Sequence, residues 1–272
     1  MAKRDGSVVR QHALNAMMPY MMRGRTESLV YFETALDVEN LLKYIDDKKA
    51  EGIDVKFFQM FVAATVKLLK ERPKLNRFVS GRKVYQRNHM RVSFIAKKTA
   101  SDEGEETNVS LTFHEKSTFQ DVLNRMKRDI KTAKSDEVKD DDAFIKTMMK
   151  LPRFLLRMVF ALLRWMDFYF DVPKDLADID PLRCSVYIAN LGSIGIEAPY
   201  HHLFEWGNCS VFIAIGRIKY MPVALEDGTL TARKMVEIKV TIDERIADGY
   251  YFARSLELME SYLKNPQSIE TL

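Results

Sequence analysis

The chain has 272 residues, of which 47% are apolar, enough to bury one large core, so we expect a single domain over residues 1–272. Its 42 basic and 38 acidic residues leave a formal charge of +4, and no basic block alternates with aromatics, which argues against nucleic acid as a partner. Two cysteines cannot form a disulfide framework in a chain of this length, and the N-terminus lacks the apolar core of a signal peptide. These features favour a cytoplasmic location.

Helices and strands alternate irregularly in the first half of the chain. Apolar spacing predicts a helix over residues 38–52, capped by Asp37, and another over residues 54–73 that ends at a proline. Residues 89–98 and 108–113 alternate apolar and polar side chains, which predicts two strands.

A third amphipathic helix is predicted after Ser117 and Gln120, which form a capping-box pattern. It runs into the charged segment 133–142, and a run of charges after a helix is typical of a solvated linker.

Residues 154–170 form a mostly apolar segment that carries three charges, which argues against a transmembrane span. Helical spacing places one apolar face along it, and we expect protein to cover that face, so that deleting residues 150–172 lowers stability. The alternative is a basic amphipathic helix that docks on a membrane surface or a partner protein. The predicted apolar face consists of Phe154, Met158, Ala161, Leu162, Trp165 and Tyr169.

The last third of the chain is rich in strands, predicted over residues 185–192, 209–218 and 234–243, with a hairpin turn at 226–229. Because strands and helices do not alternate regularly, the sequence favours an α+β fold in which helices cover one face of a mixed sheet. Alternation along the final strand, continued past its end, places Glu244 on the buried side.

Four segments, taken in order, resemble the catalytic domain of the 2-oxo acid dehydrogenase dihydrolipoamide acyltransferases. They are MPYMM at 18–22, the stretch 73–96, YIANLGSIGI at 187–196, and DERIADG at 243–249 followed by a helix. Chloramphenicol acetyltransferase shares the fold of that family, so the resemblance implies a two-layer fold of that type.

The resemblance also implies a homotrimer in which an acyl donor and a thiol enter a channel between subunits from opposite ends. The substrates would be coenzyme A or lipoyl thioesters, with no permanently bound cofactor. Residues 144–173 stand where the family has a short connection and are interpreted as a helical insertion. No lipoyl-type segment precedes residue 18, so we expect the chain not to carry its own acyl group.

Two positions depart from the family pattern. The family motif H-x-x-x-D-G uses its histidine to deprotonate the acceptor, and Glu244 stands in that position here, while Arg245, Asp248 and Gly249 keep the local pattern. The serine or threonine that donates to the oxyanion in the family is replaced by Ala189. Loss of a positioned base lowers a rate by about 10²–10⁴, and loss of an oxyanion donor by about 10²–10³, so we expect weak or absent catalysis.

Glu244 itself is open to two interpretations. A free glutamate has a pKa of about 4.3, roughly four units below a thiol at about 8.5, so proton transfer from the thiol is uphill by about 5.5 kcal/mol. Burial could make the carboxylate a stronger base, whereas an ion pair with an arginine would make it purely structural, and the second is the commoner outcome.

Other residues near the implied channel are Asn190, which follows Ala189, and the loop histidines His201 and His202. Loop histidines are usually solvated or hydrogen-bonded, so a catalytic role for this pair is the less favoured interpretation. The remaining histidines are scattered, and no metal site is predicted.

Three functions therefore remain open. The chain could be a weak or inactive homologue that binds acyl-CoA or acyl-lipoyl thioesters, an active CoA-dependent acyltransferase with Glu244 as its base, or a non-catalytic scaffold or membrane-docking protein that uses the helix within residues 144–173.

Overall fold

The computed structural model describes residues 3–97, 106–133 and 147–272. Nine strands lie within these ranges: β1 Gly6–Val8, β2 Leu29–Asp37, β3 Arg77–Ser80, β4 Lys83–Arg87, β5 Met90–Lys97, β6 Glu106–Phe113, β7 Val186–Asn190, β8 Val211–Ala224 and β9 Leu230–Asp243. The helices in the same ranges are α1 Ala13–Met21, α2 Glu39–Ala50, α3 Phe57–Glu71, α4 Phe119–Ala133, α5 Arg153–Tyr169, α6 Lys174–Ile179 and α7 Gly249–Lys264.

Six strands form one mixed sheet in the order β2-β9-β8-β7-β5-β6. Strand β7 runs parallel to both β5 and β8, and the other neighbours are antiparallel. Strands β1, β4 and β3 form a separate small antiparallel sheet. The mixed sheet confirms the predicted α+β class. Strand β2 was not predicted, although Val30, Phe32 and Leu36 on its inward face carry the period-two signal.

Helices α2, α3, α4 and α7 cover one face of the large sheet and close a single main core. Every residue of α3 from Met60 to Leu69 is buried, because this helix lies between the sheet and the neighbouring helices. The opposite face has a smaller apolar cluster around Phe212 and Leu203, covered by the loop that follows β7. Helices on one face and a loop on the other confirm the two-layer arrangement.

Two predicted helix starts differ in detail. The capping pair of α4 is Thr118 with Asp121, one residue later than predicted, because the Ser117 hydroxyl instead accepts from the backbone N–H of His114. The N-cap of α2 is Val38 and not the predicted Asp37, although the Asp37 carboxylate accepts from the N–H of Glu39 at 3.0 Å. Most of the predicted charged linker, from residue 134 to 142, lies outside the described residues.

Helix α5 lies within the segment that the sequence analysis interpreted as an insertion, and it begins directly after Pro152 as expected. Its inner side rests on the protein through half-buried positions such as Leu156 and Leu163. We expected either the chain's own sheet or a neighbouring subunit to cover the apolar face, and in the single chain this face points away from the sheet: Phe154 and Met158 are 63% and 64% exposed. The chain's own sheet therefore does not cover that face, and Pro173 starts the next helix, α6, instead of ending this one.

The inner side of α5 is held by polar contacts at its C-terminal end. The Asp167 carboxylate pairs with the buried guanidinium of Arg183 at 2.7 Å. The Asp167 carbonyl accepts from Lys3 Nζ at 2.7 Å and from Ser80 Oγ at 2.8 Å. These contacts fix the rotation of the helix and thereby decide which apolar side chains remain outside. Within the described ranges, no helix has the length and apolar character needed to cross a membrane.

We expect Asp167→Asn to lower the free energy of unfolding by about 1–3 kcal/mol, because Arg183 would lose its shorter carboxylate contact and keep only the one to Asp180 at 3.6 Å while it stays buried. Deleting residues 150–172 should lower it further. Chemical denaturation measures both changes, and Arg157→Gln on the exposed side of α5 should leave stability unaltered. A deletion variant with the thermal midpoint of the unaltered protein would contradict this account.

Candidate active site

The segment 243–249 joins β9 to α7, and a buried ion pair fixes its shape. The Asp243 carboxylate accepts from Arg245 Nε at 2.8 Å and Nη2 at 2.6 Å, and both side chains are almost fully removed from water. Arg245 Nη1 also donates to the carbonyl of Met22 at 3.0 Å. A bidentate pair of this kind sets direction as well as distance, so the turn has one defined conformation.

Asp248 is the N-cap of α7. Its carboxylate accepts from the N–H of Tyr251 at 2.9 Å, a bond that lowers the pKa of Asp248, and Lys74 Nζ lies 3.7 Å away. Gly249 is the first residue of the helix, and a Cβ added there would meet nothing within 4 Å. The structure thus gives Asp248 a role in shaping the site.

Glu244 is exposed, so the prediction that it faces the buried side is wrong. Strand β9 ends at Asp243, and the Glu244 N–H bonds to the carbonyl of Ser28 at 3.0 Å as the chain turns, which ends the alternation on which the prediction relied. No salt bridge holds its carboxylate within the described part of the chain. The expected structural ion pair with an arginine is therefore not formed by these residues.

Glu244 lines a cavity of about 350 Å³ beside the turn. The polar wall of this cavity includes Lys74 and Arg77, and the apolar wall includes Phe32 and Phe252. A carboxylate, two cations and an aromatic wall together suit a ligand with both anionic and apolar parts.

Ala189 lies far from this cavity, on the sheet face that does not carry the helices. In the register of the sheet, Ala189 is opposite Ala214, which is opposite Lys239 on β9. Glu244 is therefore two strands away from Ala189 across the sheet and five residues away along the strand direction. At ordinary strand spacings this corresponds to a separation of about 19 Å. Asn190 follows on β7, so its side chain alternates to the other face, and its carbonyl accepts from Ser193 Oγ at 2.7 Å. Within one chain, Ala189 and Glu244 are therefore too far apart to act on the same reacting group.

His201 and His202 cover the same sheet face as Ala189. The His201 ring stacks on Phe212 with centroids 3.9 Å apart, and the two imidazoles stack on each other at 5.0 Å. Each Nδ1 lies within hydrogen-bond distance of the next residue's carbonyl, which makes Nδ1 the donor and leaves Nε2 as the acceptor. Burial lowers the pKa of His201, which favours its neutral form.

An arginine-rich pocket on the other side of Arg245 was not predicted. Its volume is about 190 Å³. The residues that line it come from six separate parts of the chain, so no local spacing could have indicated it. The arginines are Arg23, Arg25, Arg82, Arg164, Arg183 and Arg245.

Comparison with known proteins gives the C-terminal part of the chain, which carries Ala189 and Glu244, a family context. Residues 177–271 match the family model of the 2-oxoacid dehydrogenases acyltransferase catalytic domain. The lipoamide acyltransferase component of the branched-chain alpha-keto acid dehydrogenase complex of Bacillus subtilis is 25% identical over 256 residues, which cover 92% of this chain. The chain spans about half the length of that relative.

Solved structures extend the likeness over almost the whole chain. A probable dihydrolipoamide acetyltransferase from Listeria monocytogenes superposes with a TM-score of 0.61 at 15% identity, over 95% of this chain and 94% of that one. Chloramphenicol acetyltransferase gives a TM-score of 0.57 at 12% identity, over 95% and 99%. The cubic core of a pyruvate dehydrogenase multienzyme complex gives 0.59 at 15% identity, over 96% and 93%.

The resemblance noted in the sequence is therefore confirmed: this chain has the chloramphenicol acetyltransferase-like fold, and its residues 177–271, which include Ala189 and Glu244, match the 2-oxoacid dehydrogenase acyltransferase catalytic domain.

Proposed function

We propose that this chain binds acyl-CoA or acyl-lipoyl thioesters between the subunits of a homotrimer and transfers the acyl group weakly or not at all. The observation that carries the proposal is the sheet register, which sets Glu244 two strands and five residues away from Ala189 within one chain, or about 19 Å at ordinary strand spacings. Reacting groups must approach to about 3–3.5 Å, so these two positions can serve one thioester only if they come from different subunits.

The composition of the Glu244 cavity supports a thioester of this kind. Lys74 and Arg77 offer positive charge to phosphate or carboxylate groups, and Phe32 and Phe252 offer an apolar wall to an acyl chain or a pantetheine arm. The carboxylate of Glu244 has no salt-bridge partner in the described residues, so it is free to contact such a ligand.

Weak catalysis follows from the chemistry of the two altered positions. Ala189 has no hydroxyl to donate to an oxyanion, and a glutamate is a poor base toward a thiol. We include the homotrimer and the cytoplasmic location in the same proposal. The need for a second subunit at the site supports the homotrimer.

An active enzyme is the second candidate, and the stacking of His201 on Phe212 favours it. Hydrogen bonding at Nδ1 presents Nε2 as an acceptor on the sheet face that carries Ala189, which is the arrangement a general base requires. In that case the base would come from the loop after β7, and Glu244 would contact the ligand without accepting its proton.

The double variant Glu244→His with Ala189→Ser should restore a base and an oxyanion donor and raise thiol release from acyl-CoA by about 10²-fold or more. Each single variant is the control and should give a smaller gain. Strong turnover by the unaltered protein, lost in Glu244→Gln but kept in His201→Asn, would show instead that Glu244 is the base. Loss in His201→Asn alone would assign the base to His201.

Sedimentation equilibrium should give the mass of a trimer. Mixed trimers of Glu244→His subunits and Ala189→Ser subunits should release more thiol than trimers of either variant alone. The reason is that some sites between subunits then combine the introduced histidine of one subunit with the introduced serine of its neighbour. A stable monomer that still binds acyl-CoA would contradict a site between subunits.

A further inference from the structure

Helix α5 presents a broad apolar surface to solvent. At 100° per residue, most of its exposed apolar side chains occupy an arc of about 140°. The side chains that share this arc are exposed by 37–64%, and a contiguous group of this size, unlike apolar residues scattered singly, marks an interaction surface. They are Phe154, Leu155, Met158, Leu162, Trp165, Phe168 and Tyr169.

Three arginines follow one edge of this arc. Arg153, Arg157 and Arg164 fall within about 40° of one another on the helix and are exposed. None of them forms a salt bridge with the described residues. The one acidic residue of α5, Asp167, is turned inward to Arg183. The outer side of the helix is therefore apolar, and the three arginines along one edge give it a positively charged margin.

The arginine pocket opens at this same margin, since Arg164 and Phe168 of α5 line it. Six guanidinium groups face Asp167 and Glu205 in its lining, with Asp243 behind Arg245. Positive charge in the pocket thus exceeds the negative charge available to balance it.

All of the arginines named next make polar contacts with the protein, Arg25 through Nη1 to the carbonyls of Phe204 and Glu205, but the Nε atoms of Arg25 and Arg183 have no hydrogen-bond partner in the described residues. Arg82 donates to the carbonyls of Pro19 and Arg23, and Arg183 and Arg245 have carboxylate partners. Arg25 is only 7% exposed, and its Nε has no hydrogen-bond partner in the described residues. Burial lowers the pKa of Arg25, and an anion in the pocket would offset the cost of holding this cation away from water.

We propose that α5 and the arginine pocket form one docking site for a membrane surface that contains anionic phospholipids. The apolar arc enters the interface between headgroups and acyl chains, the arginine margin lies at the level of the headgroups, and the pocket takes a phosphate group. Apolar side chains with aromatic residues on one face and arginines beside them are the composition of helices that lie in a membrane interface.

The positive charge of the arginine margin and of the pocket favours a lipid surface over a second copy of this chain as the occupant. A second α5 would bring the same arginine margin and the same cationic pocket, whereas an anionic lipid surface supplies the opposite charge over the whole area. This docking site is separate from the Glu244 cavity, so its test does not depend on acyl transfer.

The full-length protein should bind vesicles of phosphatidylcholine mixed with phosphatidylglycerol, bind vesicles of phosphatidylcholine alone much more weakly, and lose affinity as the salt concentration rises. Arg157→Gln, Arg164→Gln and the pocket variant Arg23→Gln should each weaken binding to the anionic vesicles by about fivefold. Arg128→Gln, on the remote helix α4, is the matched control and should change it by much less.

The pair Met158→Glu with Leu162→Glu should weaken binding by about tenfold or more, because both side chains lie in the apolar arc and are exposed, so the fold should not change. The matched control is Leu225→Glu with Leu230→Glu, two exposed apolar residues at the β8–β9 hairpin. Circular dichroism should be the same for all variants.

Equal affinity for neutral and anionic vesicles would overturn the role of the arginines and the pocket. Failure to bind either vesicle, together with self-association that the Met158→Glu and Leu162→Glu pair abolishes, would assign the face to a second copy. Failure to bind vesicles together with thermal stabilisation by inorganic phosphate would make the pocket a site for a soluble anion. Either of these last results would overturn the proposal.

Discussion

The buried ion pair between Asp243 and Arg245 is the interaction on which the rest of the site depends. Removal of two charges from water is unfavourable by itself, and here it is offset by a bidentate contact and by the bond from Arg245 to the Met22 carbonyl. The pair ends β9, turns the chain outward at Glu244 and places Asp248 where it can cap α7. Arg245 also separates the Glu244 cavity from the arginine pocket, so one side chain forms a wall of both.

This geometry explains how Glu244 and Ala189 relate to each other in space. Position 244 lies at the end of β9 on a turn, and Ala189 lies inside the sheet on the face away from the helices. A catalytic base and an oxyanion donor on the same chain would be unable to act on one thioester at this separation. One chain therefore carries the two parts of the proposed site at separate places. Only the assembly of several subunits could bring the two parts together.

Helix α5 adds a surface that the other elements of the fold do not need. Its inner contacts to Arg183, Lys3 and Ser80 fix its rotation, and they leave its most apolar arc outside. The same contacts bring Arg164 beside Arg23 and Arg25, so the anchoring of the helix also assembles the cationic pocket. Two features that are unrelated in sequence, an apolar helix and scattered arginines, thus become neighbours.

The sequence by itself determined the class of fold, most of the strands and the helix after Pro152, because period-two and period-3.6 patterns are local properties. Local patterns could not determine where Glu244 points, because β9 ends one residue before it. The alternation of side chains between the two faces of a sheet holds only within a hydrogen-bonded strand. The covered side of α5 was equally undecided, because the helix has apolar residues around much of its circumference and contacts with residues remote in sequence, such as that of Asp167 with Arg183, choose between them. The arginine pocket and the distance from Ala189 to Glu244 join residues remote in sequence, and only the tertiary structure determines such distances.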